Sequence, residues 1–361
     1  MGPHPRPCER VPGHQVANLR GVTACDAVVR EDCVVEDDEL APERVRAFLA
    51  QRHATRIEDL EPLSGGWWSS AWGYRIGTEE LVVRFGRDAS WYEADRKAMA
   101  FADHGLPVPQ VREVGLTRDQ RAYAISVRHR GMFLEETPLE LSAALAPTLT
   151  DLLVALHAVP SKAHDPVLWH QPGAPRISWQ QFLLAGLVDD PTSPTHGWSA
   201  TLAADPTLAA LASAVEQRIR TLIYACPERR DLVHGDLLHG NVLVSRDAGR
   251  VEAVFSWKCS VRGDFLYDAA WLNFWAPWYE GIAAADPLSG VFAAPAIRAE
   301  HGAFLDAGLR HHCYELHIGF THLGWNIWTG NRADLDATVL RLSEVLERGP
   351  LSLPGGREPT Q

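Results

Sequence analysis

The chain has 361 residues, 46% hydrophobic and 22% charged, the balance of an ordinary soluble protein with enough chain for one large domain or two lobes. Its formal charge of −12 argues against a nucleic-acid partner, which Lys and Arg would have to neutralise, and suits a cationic small molecule; simple solubility explains an acidic surface equally well. No apolar run is expected to span a membrane, and six scattered cysteines without a C-x-x-C pair argue against a zinc site or a disulfide framework.

Residues 1–38 show no sustained period and are expected to form a disordered extension. Met1-Gly2-Pro3-His4-Pro5-Arg6 lacks the apolar core of a secretory signal, so a cytoplasmic monomer with reduced thiols is the expectation. A helix fits residues 42–53, with Val45, Phe48 and Leu49 on its apolar face. Leu63-Ser64-Gly65-Gly66-Trp67-Trp68-Ser69-Ser70 reads as a glycine turn between strands, and residues 81–85 as a short strand. Residues 91–104 read as a helix, stopped by Gly105-Leu106-Pro107-Val108-Pro109, and residues 122–127 as a strand. Arg128-His129-Arg130-Gly131 then connects to a helical region, with helices expected over 141–157, 179–187, 208–224, 304–326 and 333–347. The layout is a bilobal α+β fold: a small β-rich lobe over 39–128, a larger helical lobe over 129–348, and a frayed tail over 349–361.

The most informative stretch is His234-Gly235-Asp236-Leu237-Leu238-His239-Gly240-Asn241-Val242-Leu243-Val244. It places a carboxylate and an amide five positions apart on a short loop that runs into an apolar strand. A protein-kinase catalytic loop uses that spacing: the Asp orients the attacking hydroxyl and accepts its proton, and the Asn holds magnesium. A polar loop that merely contains Asp and Asn would show the same spacing, but the strand and the hairpin Ser245-Arg246-Asp247-Ala248-Gly249-Arg250 weigh against it. After the hairpin a second metal carboxylate is expected; Val254-Phe255-Ser256-Trp257 brings a serine.

Residues 234–244, the hairpin and Gly263-Asp264-Phe265-Leu266-Tyr267-Asp268-Ala269-Ala270 resemble the aminoglycoside phosphotransferase family. Tyr123-Ala124-Ile125-Ser126 with Arg128 and Gly131, Phe274-Trp275-Ala276-Pro277-Trp278, and residues 306–331 resemble its hygromycin-type branch. The resemblance covers roughly residues 43–345. It implies a protein-kinase-like fold with ATP or GTP between the lobes, Mg2+, and phosphoryl transfer to an aminoglycoside-like hydroxyl. Asp236 would be the base, and Asn241 and Ser256 would occupy the metal positions. Arg84 would stand where the family places a phosphate-binding Lys, paired with Glu93 or, in better register, Asp95; an outward charge on an edge strand is the competing explanation. Ser64, Gly65, Gly66 and Ser69 would cover the phosphates, and Ser126 and Val127 would face the adenine. Trp275 and Trp278 would line the acceptor pocket, with Glu280 and Asp268 for its amines, whereas Trp271 fits core packing as well as it fits a pocket. Asp264 is expected to brace the catalytic loop region, and His311, His312, His317 and His322 to be core or surface residues of a helix.

Two departures from the family stand out. Leu238 takes the place of a His, with His239 directly after it, and Ser256 replaces the metal-binding Asp. A serine hydroxyl is neutral and short, so the site fits a silent nucleotide binder, an active enzyme with altered metal ligation, or an isolated defective sequence. A catalytically silent pseudokinase-type module and a kinase of amino-alcohols or amino-sugars are the alternative functions.

Overall fold

The structure, a computed structural model, describes residues 40–64, 69–171, 173–191, 193 and 195–353. The expected extension over 1–38, and Gly65 and Gly66 of the phosphate loop, lie outside the described residues. Helix α1 (Pro42–His53) starts on a proline, whose missing N–H is not needed in the first turn, and buries Val45 and Leu49. Strands β1 (Glu58–Leu63), β2 (Ser69–Ile76), β3 (Glu79–Gly86), β4 (Val111–Leu116) and β5 (Ala122–Val127) form an antiparallel sheet in the order β1-β2-β3-β5-β4. Alternation along β3 sends Leu81, Val83 and Phe85 into the cluster under α1. Arg84 therefore points to the opposite face, which α2 (Ala89–Ala98) covers with Tyr92. α2 is capped by Asp88, continues as a 3-10 turn over Met99–His104, and ends at Gly105 with φ 86°.

The connector after β5 leads to β6 (Met132–Phe133), α3 (Ser142–Ala158), α4 (Trp179–Ala185), α5 (Trp198–Ala204) and α6 (Pro206–Leu222). Then come β7 (Asp231–Val233), β8 (Val242–Val244), β9 (Val251–Val254) and β10 (Val261–Gly263). α7 (Leu266–Trp275), α8 (Glu280–Ala285), α9 (Pro287–Ala293), α10 (Pro295–Arg298), α11 (Ala307–Thr329) and α12 (Arg332–Arg348) complete the helical part. β8 pairs with both β6 and β9, and β7 with β10, so the catalytic stretch lies between two short ladders. α11 is buried on nearly every face, the mark of a helix at the centre of a domain. Its start, expected at 304, falls at 307 because Asp306 adopts φ 52° and ends the preceding turn. Cys226, Cys259 and Cys313 are buried.

Two expectations need correction. Leu139–Ala158 is long and apolar enough to cross a membrane by length and composition, yet Leu145, Leu149, Leu152, Leu153 and Leu156 are buried in the core of the helical part. The tail does not fray from 349, since Leu351 and Leu353 pack against the same core.

Candidate active site

The loop between β7 and β8 turns tightly, with Gly235, His239 and Gly240 at φ 76°, 60° and 77°. Its backbone is tied down at both ends. Asp268 accepts the N–H groups of His234 and Gly235, each at 2.8 Å, and Glu135 accepts that of Gly240 at 2.5 Å. The His234 ring reaches the Phe255 carbonyl at 2.8 Å and so links the loop to the segment that follows the hairpin. Inside this frame Asp236 is gripped by both oxygens. His239 Nδ1 lies 2.7 Å from Oδ1, and Asn241 Nδ2 donates to Oδ2 at 2.8 Å and to the Asp236 carbonyl at 2.9 Å. With Nδ2 so engaged, Oδ1 is the Asn241 atom left for a cation.

On the nucleotide side Arg84 donates to Asp95 at 2.5 Å, and the other oxygen of Asp95 accepts the Trp257 N–H at 2.8 Å. Glu93 pairs with Arg96 instead, which decides between the two acidic candidates. Burial opposes the charge on Arg84, but the Asp95 carboxylate outweighs it and the guanidinium pKa is raised. Asp95 thus couples α2, Arg84 and the segment after β9, much as the Lys–Glu pair of a kinase couples its lobes. Ser256 sits within this segment at φ 60° and ψ 55°, a left-handed conformation that Asp and Asn tolerate better than Ser. Ser64 ends the described residues before the glycine turn, and Ser69 opens β2 opposite Gly86. Ser126 and Val127 end β5, where the Val127 N–H donates to the Gln110 carbonyl and the following Arg128 N–H to that of Glu80.

The acceptor side differs most from expectation. Asp268 is 1% exposed and both its oxygens hold the loop backbone, so it braces the catalytic loop and does not meet an amine. Burial pushes its carboxyl pKa up. Asp264, expected in that bracing role, instead grips Arg310 at 2.6 and 2.8 Å and Tyr314 at 2.6 Å, and so anchors α11. Trp275 is fully buried, because the 3-10 turn Ala276–Trp278 absorbs the proline while α7 keeps Trp275 in the core. Trp278 is half-buried and Glu280 exposed.

Three further groups interact electrostatically with the catalytic loop: Glu135 from the turn after β6 and Tyr279 with Asp236, and Asp334 from the first turn of α12 with His239. Burial raises the Glu135 carboxyl, and Asp236 adds to the shift. Burial also lifts Asp334 to about 6, while His239 pulls it down. The Tyr279 phenol is raised by burial and then by the charges of Glu135, Asp236 and Asp334. No sequence motif marked Glu135. Asn331 caps α12 by accepting the Asp334 N–H, and no local sequence signal linked Asp334 to His239. Behind the loop, His239 meets the edges of Trp271 and Trp275 at 5.9 and 5.8 Å, with His322 beyond them. Burial lowers His322 to about 4, so it is neutral near pH 7.

A sheet-first, helix-second fold with an Asp–Asn loop and a buried Arg–Asp pair across from it defines a kinase-like phosphotransferase. Residues 59–302 match the model of the phosphotransferase enzyme family, and the chain belongs to that family. It is 31% identical over 249 residues to the hygromycin-B 4-O-kinase of Escherichia coli, covering 66% of this chain and 69% of that one. A thermostable mutant of aminoglycoside phosphotransferase APH(4)-Ia, solved with AMP-PNP and hygromycin B, is 26% identical with a TM-score of 0.70, over 84% of this chain and 98% of that one. Aminoglycoside 2'-phosphotransferase-IIIa in its GDP complex shares the fold, at 15% identity and a TM-score of 0.59 over 85% of this chain and 99% of that one.

Proposed function

We propose that the protein transfers the γ-phosphate of ATP to a hydroxyl of an aminoglycoside of the hygromycin B kind. The observation that carries this reading is Asp236, oriented through both oxygens by His239 and Asn241 on a loop clamped by Asp268 and Glu135. A base so fixed takes the proton of an acceptor hydroxyl as that oxygen bonds to the γ-phosphorus. The bond from that phosphorus to the β-phosphate oxygen breaks, and ADP leaves with the electron pair. Positioning supplies most of the acceleration in such chemistry, which suits a loop with few loose groups. Arg84, held by Asp95, is the cation for the α and β phosphates and offers them two N–H groups at once.

The residues fit magnesium only as an ion shared with nucleotide. Asn241 Oδ1 and Ser256 supply neutral oxygens, and the described residues hold no cluster of three His, Cys, Asp or Glu side chains able to bind a metal. Magnesium binds through a few protein oxygens plus phosphates and water, so the phosphates would provide the missing charge. When bound, the ion would neutralise the nucleotide phosphates. Glu135, Asp334 and Tyr279 around Asp236 suit the ammonium groups of a cationic acceptor, at roughly 1 kcal/mol per close pair in water and more where water is excluded. Dependence on ATP fits a cytoplasmic enzyme.

The loss of charge at 256 favours one other reading, a silent nucleotide-binding module. Incubation with ATP, Mg2+ and hygromycin B, followed by mass spectrometry of the antibiotic, separates the two. Phosphorylated antibiotic from the native protein and none from Asp236→Asn supports the transferase. Unmodified antibiotic, with ATP still bound, establishes the silent binder.

A further inference from the structure

We propose that His239 is the positioning residue that aims the catalytic carboxylate, an inference that rests on the phosphotransferase reading of Asp236. The contact is direct, with Nδ1 2.7 Å from Asp236 Oδ1. A carboxylate oxygen accepts, so Nδ1 must carry the hydrogen of this contact, the arrangement that the Nδ1–H tautomer provides. The loop holds His239 at φ 60°, in the left-handed region that favours glycine, and the ring so placed returns to a carboxylate three residues back. Its side chain is 4% exposed and is wedged against the edges of Trp271 and Trp275, so the ring cannot swing away.

Asn241 is the other side-chain partner of Asp236 among the described residues, and its amide also serves as the metal ligand of the proposed mechanism. Any movement of Asn241 towards a cation loosens its hold on Asp236. His239 has no such second duty: Nε2 has no partner among the described residues. His239 therefore holds the Asp236 carboxylate by Oδ1 throughout the reaction.

Two amides separate this role from simple packing. The Asn side chain places its NH2 where Nδ1 stands and tolerates the left-handed backbone, whereas Gln reaches towards Nε2 and leaves the Nδ1 position empty. His239→Asn should keep most of kcat. His239→Gln and His239→Ala should lose about 100-fold in kcat with KM for ATP within about twofold, the loss expected when a reacting group is misplaced by an ångström. Equal losses in Asn and Gln, or a change in KM alone, would overturn the proposal. All three variants are compared at matched unfolding midpoints, and if Ala fails to fold the Asn–Gln pair carries the test. Nitrogen-15 spectra of the ring provide a readout without turnover: an Nδ1–H tautomer in the native protein is expected, and Nε2–H contradicts the proposal. Lack of hygromycin B turnover alongside the Nδ1–H tautomer would count against the proposed substrate and leave the positioning of Asp236 standing.

Discussion

In the loop between β7 and β8 both oxygens of Asp236 accept bonds, and carboxylates on α7 and on the turn after β6 hold the loop backbone. Twenty residues further on, around Ser256, the backbone is held as firmly, with the Trp257 N–H on Asp95 and the Phe255 carbonyl on His234. There the side chain brings no charge. The difference teaches that the backbone around residue 256 is held by contacts that do not involve its side chain. The change at 256 is thus chemical and not conformational, and a left-handed φ of 60° accepts Asp at least as readily as Ser.

The comparison can be broken at four points. The largest effect is expected from Asp236→Asn, which should lower kcat by about 100- to 10,000-fold while the unfolding midpoint stays put; unchanged turnover would place the base elsewhere. Asp268→Ala leaves two buried N–H groups without acceptors and should lower stability by about 2–4 kcal/mol in chemical denaturation, with kcat falling as the loop loosens. Stability close to the native value would show that the loop is held by other contacts. Asp95→Asn should weaken ATP binding by roughly tenfold through release of Arg84, a loss that calorimetric titration can read.

The smallest effect is in pH. Asp334 has its pKa raised to about 6, so it is neutral below that value and charged above it. KM for a cationic acceptor should therefore fall by a few-fold between pH 5 and pH 7, and the step should vanish in Asp334→Asn. The same raised pKa favours the native state below the unfolded value, and that contribution is lost as the pH climbs through 6. A pH-independent KM in the native protein would remove Asp334 from the acceptor site.

What the sequence revealed follows the range over which each signal acts. Asp236 and Asn241 stood out because their relation is five residues long and a strand follows at once. Arg84 came from the resemblance to the family, and Asp95 was preferred to Glu93 on helix register, a local period; the two do pair. Glu135 and Asp334 join the site across about a hundred residues each way, and no period or motif carries that information. Asp268 was misassigned because α7 is buried on nearly every face, so nothing in its pattern says which neighbour the carboxylate meets. Trp275 was expected to line the acceptor pocket, but the chain takes up Pro277 in a short 3-10 turn and leaves the indole inside. His239 was passed over because a histidine was sought one position earlier.

The central claim is that the frame around residue 256 is intact and lacks only a charged metal ligand. Steady-state ADP release from the native protein and from Ser256→Asp, each with ATP, Mg2+ and hygromycin B, tests it most directly. Slow turnover by the native protein, with roughly a 100-fold rise in the variant, is the predicted result. Equal rates in the two proteins, or none from either, would contradict it.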